Sequence, residues 1–317
     1  MKKLLLYMVN FYSYKDAIVN EMEKNGYSVD WFSDTIKLNV AESLFSLVFP
    51  IYKRKKFDRY FKKTISNKKY DLVVIVFGGF YFREKHISIL REAYQGTPIV
   101  YYAWDSVKNF PHTEELIKSC DKAFTFDEDD AKHYSIPLLP LFYIEKASLE
   151  REKKYKISII ATLFNKKIES INKVVRFTES IDNKYVFLKV KSKLHAIEMR
   201  IKNNGSFKGI KKYCSYQALS HREMIDVFEQ SIAVVDFPIP NQTGLTIRTF
   251  EALALKCKVI TTNANIKNYD FYTPNNILII DDSTKEIPSS FFDTPFDESK
   301  ALGEKYSIDS FVKTLLR

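Results

Sequence analysis

Asn241-Gln242-Thr243-Gly244-Leu245-Thr246-Ile247-Arg248-Thr249-Phe250-Glu251-Ala252-Leu253 follows the apolar run at 232–235 and Asp236. The run predicts a buried strand, the polar stretch with its single glycine a loop, and the residues after Thr246 a helix. Such a junction brings free backbone N–H groups and the positive end of the helix dipole to one point, which suits a phosphate. Arg248 adds a fixed cation, and Glu251, one turn further on, can reach a ribose hydroxyl of the same ligand. A glycine before a helix is by itself an ordinary turn. Gln242, Thr243, Thr246, Arg248 and Glu251 crowd together with no packing reason to do so, and that predicts a site for a nucleoside diphosphate.

Working outward from this stretch, the same alternation of short apolar runs and longer amphipathic segments fills the chain. In the first half the runs fall at 3–9, 28–32, 72–77, 99–103 and 122–126; in the second half at 156–160, 185–190, 232–235, 258–262 and 277–280. A βαβα order means a parallel sheet covered on both faces, and Leu72-Val73-Val74-Ile75-Val76-Phe77 is apolar enough for a strand buried on both sides. Two prolines, Pro137 and Pro140, and the charged stretch 145–154 interrupt the pattern before it restarts. The predicted fold is therefore α/β: two tandem Rossmann-like, doubly wound domains facing a cleft. Residues 1–145 form the first, 146–297 the second, and 298–317 a C-terminal helix that returns to the first.

Length and composition agree with this. A chain of 317 residues exceeds what one hydrophobic core usually supports. The formal net charge of +10 points to anionic partners: nucleic acid, an acidic membrane surface or phosphorylated small molecules. Cys120, Cys214 and Cys257 are widely spaced, which argues against a disulfide framework or a zinc site and for the cytosol. The basic, apolar start Met1-Lys2-Lys3-Leu4-Leu5-Leu6-Tyr7-Met8-Val9 is too short for a signal peptide and reads as a first strand. No apolar window is long enough for a transmembrane helix. His86, His112, His133, His195 and His221 show no metal-ligand spacing, so a metal-independent protein is expected.

The Gly-Leu-Thr loop, the Glu-Ala-Leu helix and the following Lys258-Val259-Ile260-Thr261-Thr262-Asn263 resemble the C-terminal domain of GT-B glycosyltransferases, especially bacterial lipopolysaccharide and capsular polysaccharide transferases of the group 1 type. The resemblance implies a donor that is a nucleotide diphosphate sugar and an acceptor that is a glycan or glycolipid, with no further cofactor. Gly244, Leu245 and Thr246 would hold the diphosphate and Glu251 the ribose. Many of these enzymes that retain anomeric configuration carry a second glutamate eight positions earlier. Here that position is Thr243, which leaves retention unsupported and gives Gln242 and Thr243 a role as neutral hydrogen-bonding groups.

Further candidates follow from strand ends. Tyr101-Tyr102-Ala103-Trp104-Asp105-Ser106 closes the run at 99–103; Asp105 can bind a sugar or act as a base, and Trp104 can stack on a ring. Equally, Asp105-Ser106 can cap a helix and Trp104 can be core. In GT-B enzymes the loop after the first strand meets the acceptor, which makes Asp16 the other candidate base; as an acid in a first helical turn it also complements the dipole. The resemblance gives Asn165, Lys166 and Lys167, after the first strand of the second domain, a place facing the donor, where a lysine neutralises phosphate; a solvated helix start is the alternative. Asn263, Asn265, Asn268 and Tyr269 can line the donor pocket. Gly78-Gly79 reads as a tight turn or a close approach to ligand.

Between Leu44 and Lys69 the chain mixes apolar residues (Phe45, Leu47, Val48, Phe49, Ile51) with Lys53, Arg54, Lys55, Lys56, Arg59, Lys62, Lys63, Lys68 and Lys69. This suits the anionic surface of a membrane, on the cytoplasmic face, or simply a solvated helix face. A nucleic-acid-binding protein would gather its bases and aromatics on one face, whereas here they are spread over both halves, so no nucleic acid is expected. A sugar- or phosphate-binding protein without transfer activity on the same fold is the remaining alternative.

Overall fold

The computed structural model describes residues 1–10, 13–77, 79–147, 151–164, 167–239, 242–281 and 283–317. Two compact units divide the chain. Unit 1 is Met1–Pro140 with Ile308–Arg317, and unit 2 is Leu141–Ser307.

Unit 1 runs β1 (Lys2–Met8), α1 (Tyr14–Lys24), β2 (Tyr27–Phe32), α2 (Val40–Val48), α3 (Ile51–Thr64), β3 (Leu72–Val76), α4 (Glu84–Ala93), β4 (Ile99–Ala103), α5 (Thr113–Ser119), β5 (Lys122–Thr125) and α6 (Glu128–Tyr134). Its sheet is parallel throughout, in the order β2-β1-β3-β4-β5. Every residue of β3 and β4 is buried, as strands covered by helices on both faces must be. Gly26, at φ +87°, lets the chain leave α1 and turn at once into β2, a conformation a side chain would strain.

The abundant aromatics fill this core. Tyr7, Phe57, Phe61, Phe82 and Tyr101 are fully buried, and Tyr7 meets Phe82 edge to face at 5.1 Å. Buried phenol groups need partners, and they have them. Tyr7 shares a 2.6 Å hydrogen bond with Thr64, and Tyr101 donates to the Phe77 carbonyl at 2.8 Å.

Unit 2 runs β6 (Tyr155–Thr162), α7 (Ile168–Phe177), β7 (Lys184–Lys189), α8 (Lys193–Lys202), α9 (Asn204–Ile210), β8 (Cys214–Ser215), α10 (His221–Glu229), β9 (Ser231–Asp236), α11 (Ile247–Ala254), β10 (Lys258–Thr261), β11 (Ile277–Ile279) and α12 (Ser289–Asp293). This sheet is also parallel, in the order β11-β10-β9-β6-β7-β8. It is the doubly wound order in which succession reverses between the first strand, β6, and the fourth, β9. Side chains or ligands can enter at the carboxyl ends of these two strands, because their connections lead away in opposite directions.

All ten predicted strands are present; β8, two residues long at the sheet edge, was too short to give a periodic signal. The tail departs from the expected single helix. It forms two short 3-10 turns, Glu298–Lys300 and Glu304–Tyr306, before α13 (Ile308–Leu315). The Asp297 carboxylate accepts from Ser299 N at 3.1 Å and ends any helix there in a local turn. Tyr306 instead completes unit 2, packing on Phe271 at 5.2 Å and donating its hydroxyl to Asp270 at 2.6 Å. The chain therefore rejoins unit 1 at Ile308 rather than at Glu298. There α13 packs against α1, and Phe311 meets Tyr102 edge to face at 4.8 Å. Among the described residues no helix is long and apolar enough to cross a membrane, and the three cysteines are free thiols.

Candidate functional site

The site is built on the junction of β9 and α11. β9 ends in Asp236, which is 2% exposed. Its carboxylate accepts from the hydroxyl of Thr246 at 2.8 Å and from that of Thr249 at 3.0 Å. The strand end thus grips the first turn of the helix. Thr246 occupies the N-cap position with φ −75° and ψ 158°, yet its side chain makes no cap bond. Because the hydroxyl is committed to Asp236, it does not occupy the leading amides of α11.

The loop between them is held from β10. Asn263, just after that strand, donates from Nδ2 to the carbonyls of Thr243 at 3.0 Å and Gly244 at 3.2 Å. Its own Oδ1 accepts from Asn265 N at 3.1 Å. Gln242 donates from Nε2 to the Gly244 carbonyl at 3.1 Å. Gly244 and Leu245 are buried, so they shape the loop from beneath.

Two adjoining cavities open beside it. The smaller, about 90 Å³, is lined by Thr162 at the end of β6, by Phe164, Lys167 and Phe237, and by Arg248 on the first turn of α11. The larger, about 710 Å³, shares Lys167 and Phe237 and extends past Lys173, Gln242, Asn263 and Asn265. That volume lies in the range of ordinary small-molecule sites. Both lie where the strand order reverses. Lys167 donates its ammonium to the Phe237 carbonyl and so ties the β6 loop to the end of β9. Lys167 therefore lines both cavities, with Arg248 in the smaller and Gln242 in the larger. Asn165 and Lys166 lie outside the described residues, as do Asn241 and Gly78.

Glu251 has a different position. It is 2% exposed, lines neither cavity, and its Oε1 stands 2.5 Å from Nε2 of His221. His221 is the first residue of α10, whose capping box joins Ser220 to Glu223. A serine followed three residues later by a glutamate is the sequence mark of such a helix start. Nothing in the local sequence marks the partner of His221 thirty residues away. Asp236 was likewise missed as an anchor, although a carboxylate at a strand end followed by two threonines at the helix start is a readable pattern.

In unit 1, Asp105 is half-buried just past β4. The residues after it form a turn rather than a helix. Ser106 is fully buried, and Val107 N donates to Asp130 Oδ2 at 2.8 Å. Burial, with Asp127 adding to it, raises the Asp130 carboxyl above its usual range, while the Val107 and Ser106 bonds oppose this. Trp104 is 8% exposed, with ring centroids of Tyr102, Tyr14 and Phe311 at 5.9, 6.3 and 6.4 Å, so it is packed in the core. Asp16 lies exposed in the first turn of α1, paired with Lys15, whose ammonium covers the Trp31 ring at 4.8 Å.

Among the described residues no group of three or more His, Cys, Asp or Glu side chains could hold a metal ion. In the segment 44–69, Phe45, Val48, Phe49 and Ile51 are 48%, 72%, 50% and 60% exposed, whereas Phe57 and Phe61 are core.

No protein-family model and no curated protein sequence matches the chain. Solved structures do match over its full length. Anabaena HepE, in complex with UDP-glucose, superposes with a TM-score of 0.63 at 9% identity, covering 100% of this chain and 98% of that one. The UDP-GlcNAc 2-epimerase of Methanocaldococcus jannaschii, in complex with UDP-GlcNAc and UDP, gives 0.60 at 11%, covering 100% and 99%. The lipopolysaccharide outer core galactosyltransferase WaaB gives 0.51 at 11%, covering 99% of each chain. At such identities the likeness is one of fold: the chain has the GT-B architecture of two Rossmann-like units in tandem, which glycosyltransferases and UDP-GlcNAc 2-epimerases share.

Proposed function

We propose that this protein transfers a sugar from a nucleotide diphosphate sugar to a glycan or glycolipid acceptor, without a metal ion. The observation that carries the reading is the convergence of Lys167 and Arg248 on one hollow at the reversal point of unit 2, beside the start of α11. Two cations and a helix N-terminus offset the charge of a diphosphate as it leaves. In the transfer, an acceptor hydroxyl attacks the anomeric carbon, the bond from that carbon to the diphosphate oxygen breaks, and the hydroxyl proton passes to a base. We assign the base to Asp105, with Asp16 the second candidate, and donor contacts to Gln242, Thr243, Thr246, Lys167 and Arg248. Gly244, Leu245 and Glu251 act by holding loop and helix in shape. An acceptor in the membrane would suit the exposed apolar and basic segment 44–69, and a place at the cytoplasmic face suits the free thiols.

Calorimetric titration with UDP, GDP, CMP and dTDP sugars tests the donor site. Arg248→Ala is expected to weaken the preferred nucleotide at least about ten-fold, the value of a charged hydrogen bond. Binding that is unchanged in this variant overturns the site. Asp105→Asn should keep donor affinity and lower kcat by about a hundred-fold or more, as loss of a general base does. Incubation with UDP-GlcNAc and no acceptor separates the classes: a change of configuration at the sugar, followed by NMR, would make this chain an epimerase instead.

A further inference from the structure

The helix α8 carries its apolar residues on the wrong side for a core helix. Leu194, Ile197 and Ile201 are 78%, 55% and 77% exposed, and their spacing of three and four residues sets them in one row. Met199, on another face, is the one fully buried residue of the helix. Large aliphatic side chains exposed singly need no explanation, but a row of three on one helix marks a contact surface.

The charge around the row says what it contacts. Lys191, Lys193, Arg200, Lys202, Lys208, Lys211 and Lys212 are all exposed. Between 191 and 212 there is a single acid, Glu198. That carboxylate bonds to Lys202 at 2.7 Å and to His195 at 3.2 Å, so the other six cations have no acidic neighbour in the segment. α8 connects β7 to α9, on the side of the sheet that ends in the short edge strand β8.

We infer that this face of unit 2 docks on an anionic lipid surface, with Leu194, Ile197 and Ile201 entering the acyl boundary and the lysines and Arg200 meeting the headgroup phosphates. Lysine and arginine stems can lie along the apolar zone while their charged ends stay among the headgroups. A second copy of the chain would set the same cations against one another. Nucleic acid would find aliphatic groups where stacking calls for aromatic ones. The inference does not depend on the sugar-transfer reading, and it concerns a different unit from the segment 44–69.

Co-sedimentation of the full chain with vesicles tests it, comparing pure phosphatidylcholine with an equal mixture of phosphatidylcholine and phosphatidylglycerol. The protein is expected to partition into the anionic vesicles. The variant Leu194→Gln/Ile197→Gln/Ile201→Gln should lose about ten-fold or more of that partitioning, since the row provides the buried apolar area. The three side chains are exposed, so circular dichroism should be unchanged. A parallel variant, Val48→Gln/Ile51→Gln, separates the two units. Absence of binding to anionic vesicles overturns the inference. So does binding that survives the α8 substitutions but falls with those in 44–69. Self-association that the α8 variant abolishes, seen by analytical ultracentrifugation without any lipid binding, assigns the row to a second copy and also overturns it.

Discussion

Asp236 stands at the hinge of the candidate site, because one buried carboxylate fastens two threonine hydroxyls of the following helix. Thr249→Val keeps the shape but removes one donor, leaving a carboxylate oxygen buried without it. We expect a loss of about 1–3 kcal/mol in stability, read from the urea midpoint, with Thr249→Ser close to the native value. An unchanged midpoint in the valine variant would show that water replaces the hydroxyl. The pair of His221 and Glu251 is a second such point. With Glu251 2% exposed and its Oε1 2.5 Å from the imidazole, His221→Ala removes one partner of a buried acid. A loss of about 1–3 kcal/mol is expected, as for a buried hydrogen bond whose partner is removed; an unchanged midpoint would show that the imidazole adds nothing to the hold on Glu251.

His86, in unit 1, is 1% exposed among Phe57, Phe61 and Phe82. Nδ1 accepts from Arg83 N at 2.9 Å, so the neutral ring carries its proton on Nε2 and donates to Asp58 at 2.9 Å. Burial lowers its pKa, and Lys85 adds to this, while Asp58 opposes it. His112 is lowered as well, by burial and by Arg83. The unfolded chain therefore takes up these protons first as pH falls. The stability they support is complete above about pH 6.5 and declines as pH drops below it towards the folded-state values. Urea midpoints should fall between about pH 7.5 and about pH 5.5, and less steeply in His86→Gln. An identical slope in that variant would remove His86 from the account.

At the scale of elements, α10 shows how a short helix is fixed. Ser220 accepts from Glu223 N at 3.2 Å, and the Glu223 carboxylate answers by accepting from Ser220 N at 2.7 Å. The Ser220 N–H, and after it the Ser220 hydroxyl, donate to the Glu223 carboxylate and hold it below its usual range. Ser220→Ala should cost about 1 kcal/mol. Since α10 also positions His221, the same variant should raise hydrogen exchange in the second turn of α11, where Glu251 lies; exchange confined to α10 would separate the two helices. The Cys257 thiol, completely buried after α11, is pushed up to about 12 by that burial, so it is an inert part of the packing.

At the scale of the whole molecule, each unit has its own sheet and core. The two cavities beside α11 are lined by unit 2 alone. A nucleotide held there stabilises by the logarithm of its concentration over Kd, about 2.7 kcal/mol at a hundred-fold excess over Kd. Hydrogen exchange should therefore show new protection in β6, β9 and the first turn of α11, and little in β1 to β5. Protection that appears mainly in unit 1 would place the nucleotide elsewhere.

Local pattern carried much of this architecture. Short apolar runs mark the strands, most clearly Leu72-Val73-Val74-Ile75-Val76-Phe77, and the restart of the alternation after Pro140 reveals a second sheet, because periodicity is a property of neighbours in the chain. The loop before α11 was legible for the same reason. The tail was misread because Asp297 and Gly303 divide a helical pattern into turns, and Tyr306 gains more by closing the core of unit 2. What the tertiary structure alone decided is which distant residues share a site. Strand order sets β6 beside β9, and only then do Lys167 and Phe237, seventy residues apart, meet beside Arg248, and His221 reach Glu251 across thirty. Those contacts depend on how helices and strands are stacked, which no window of the sequence contains.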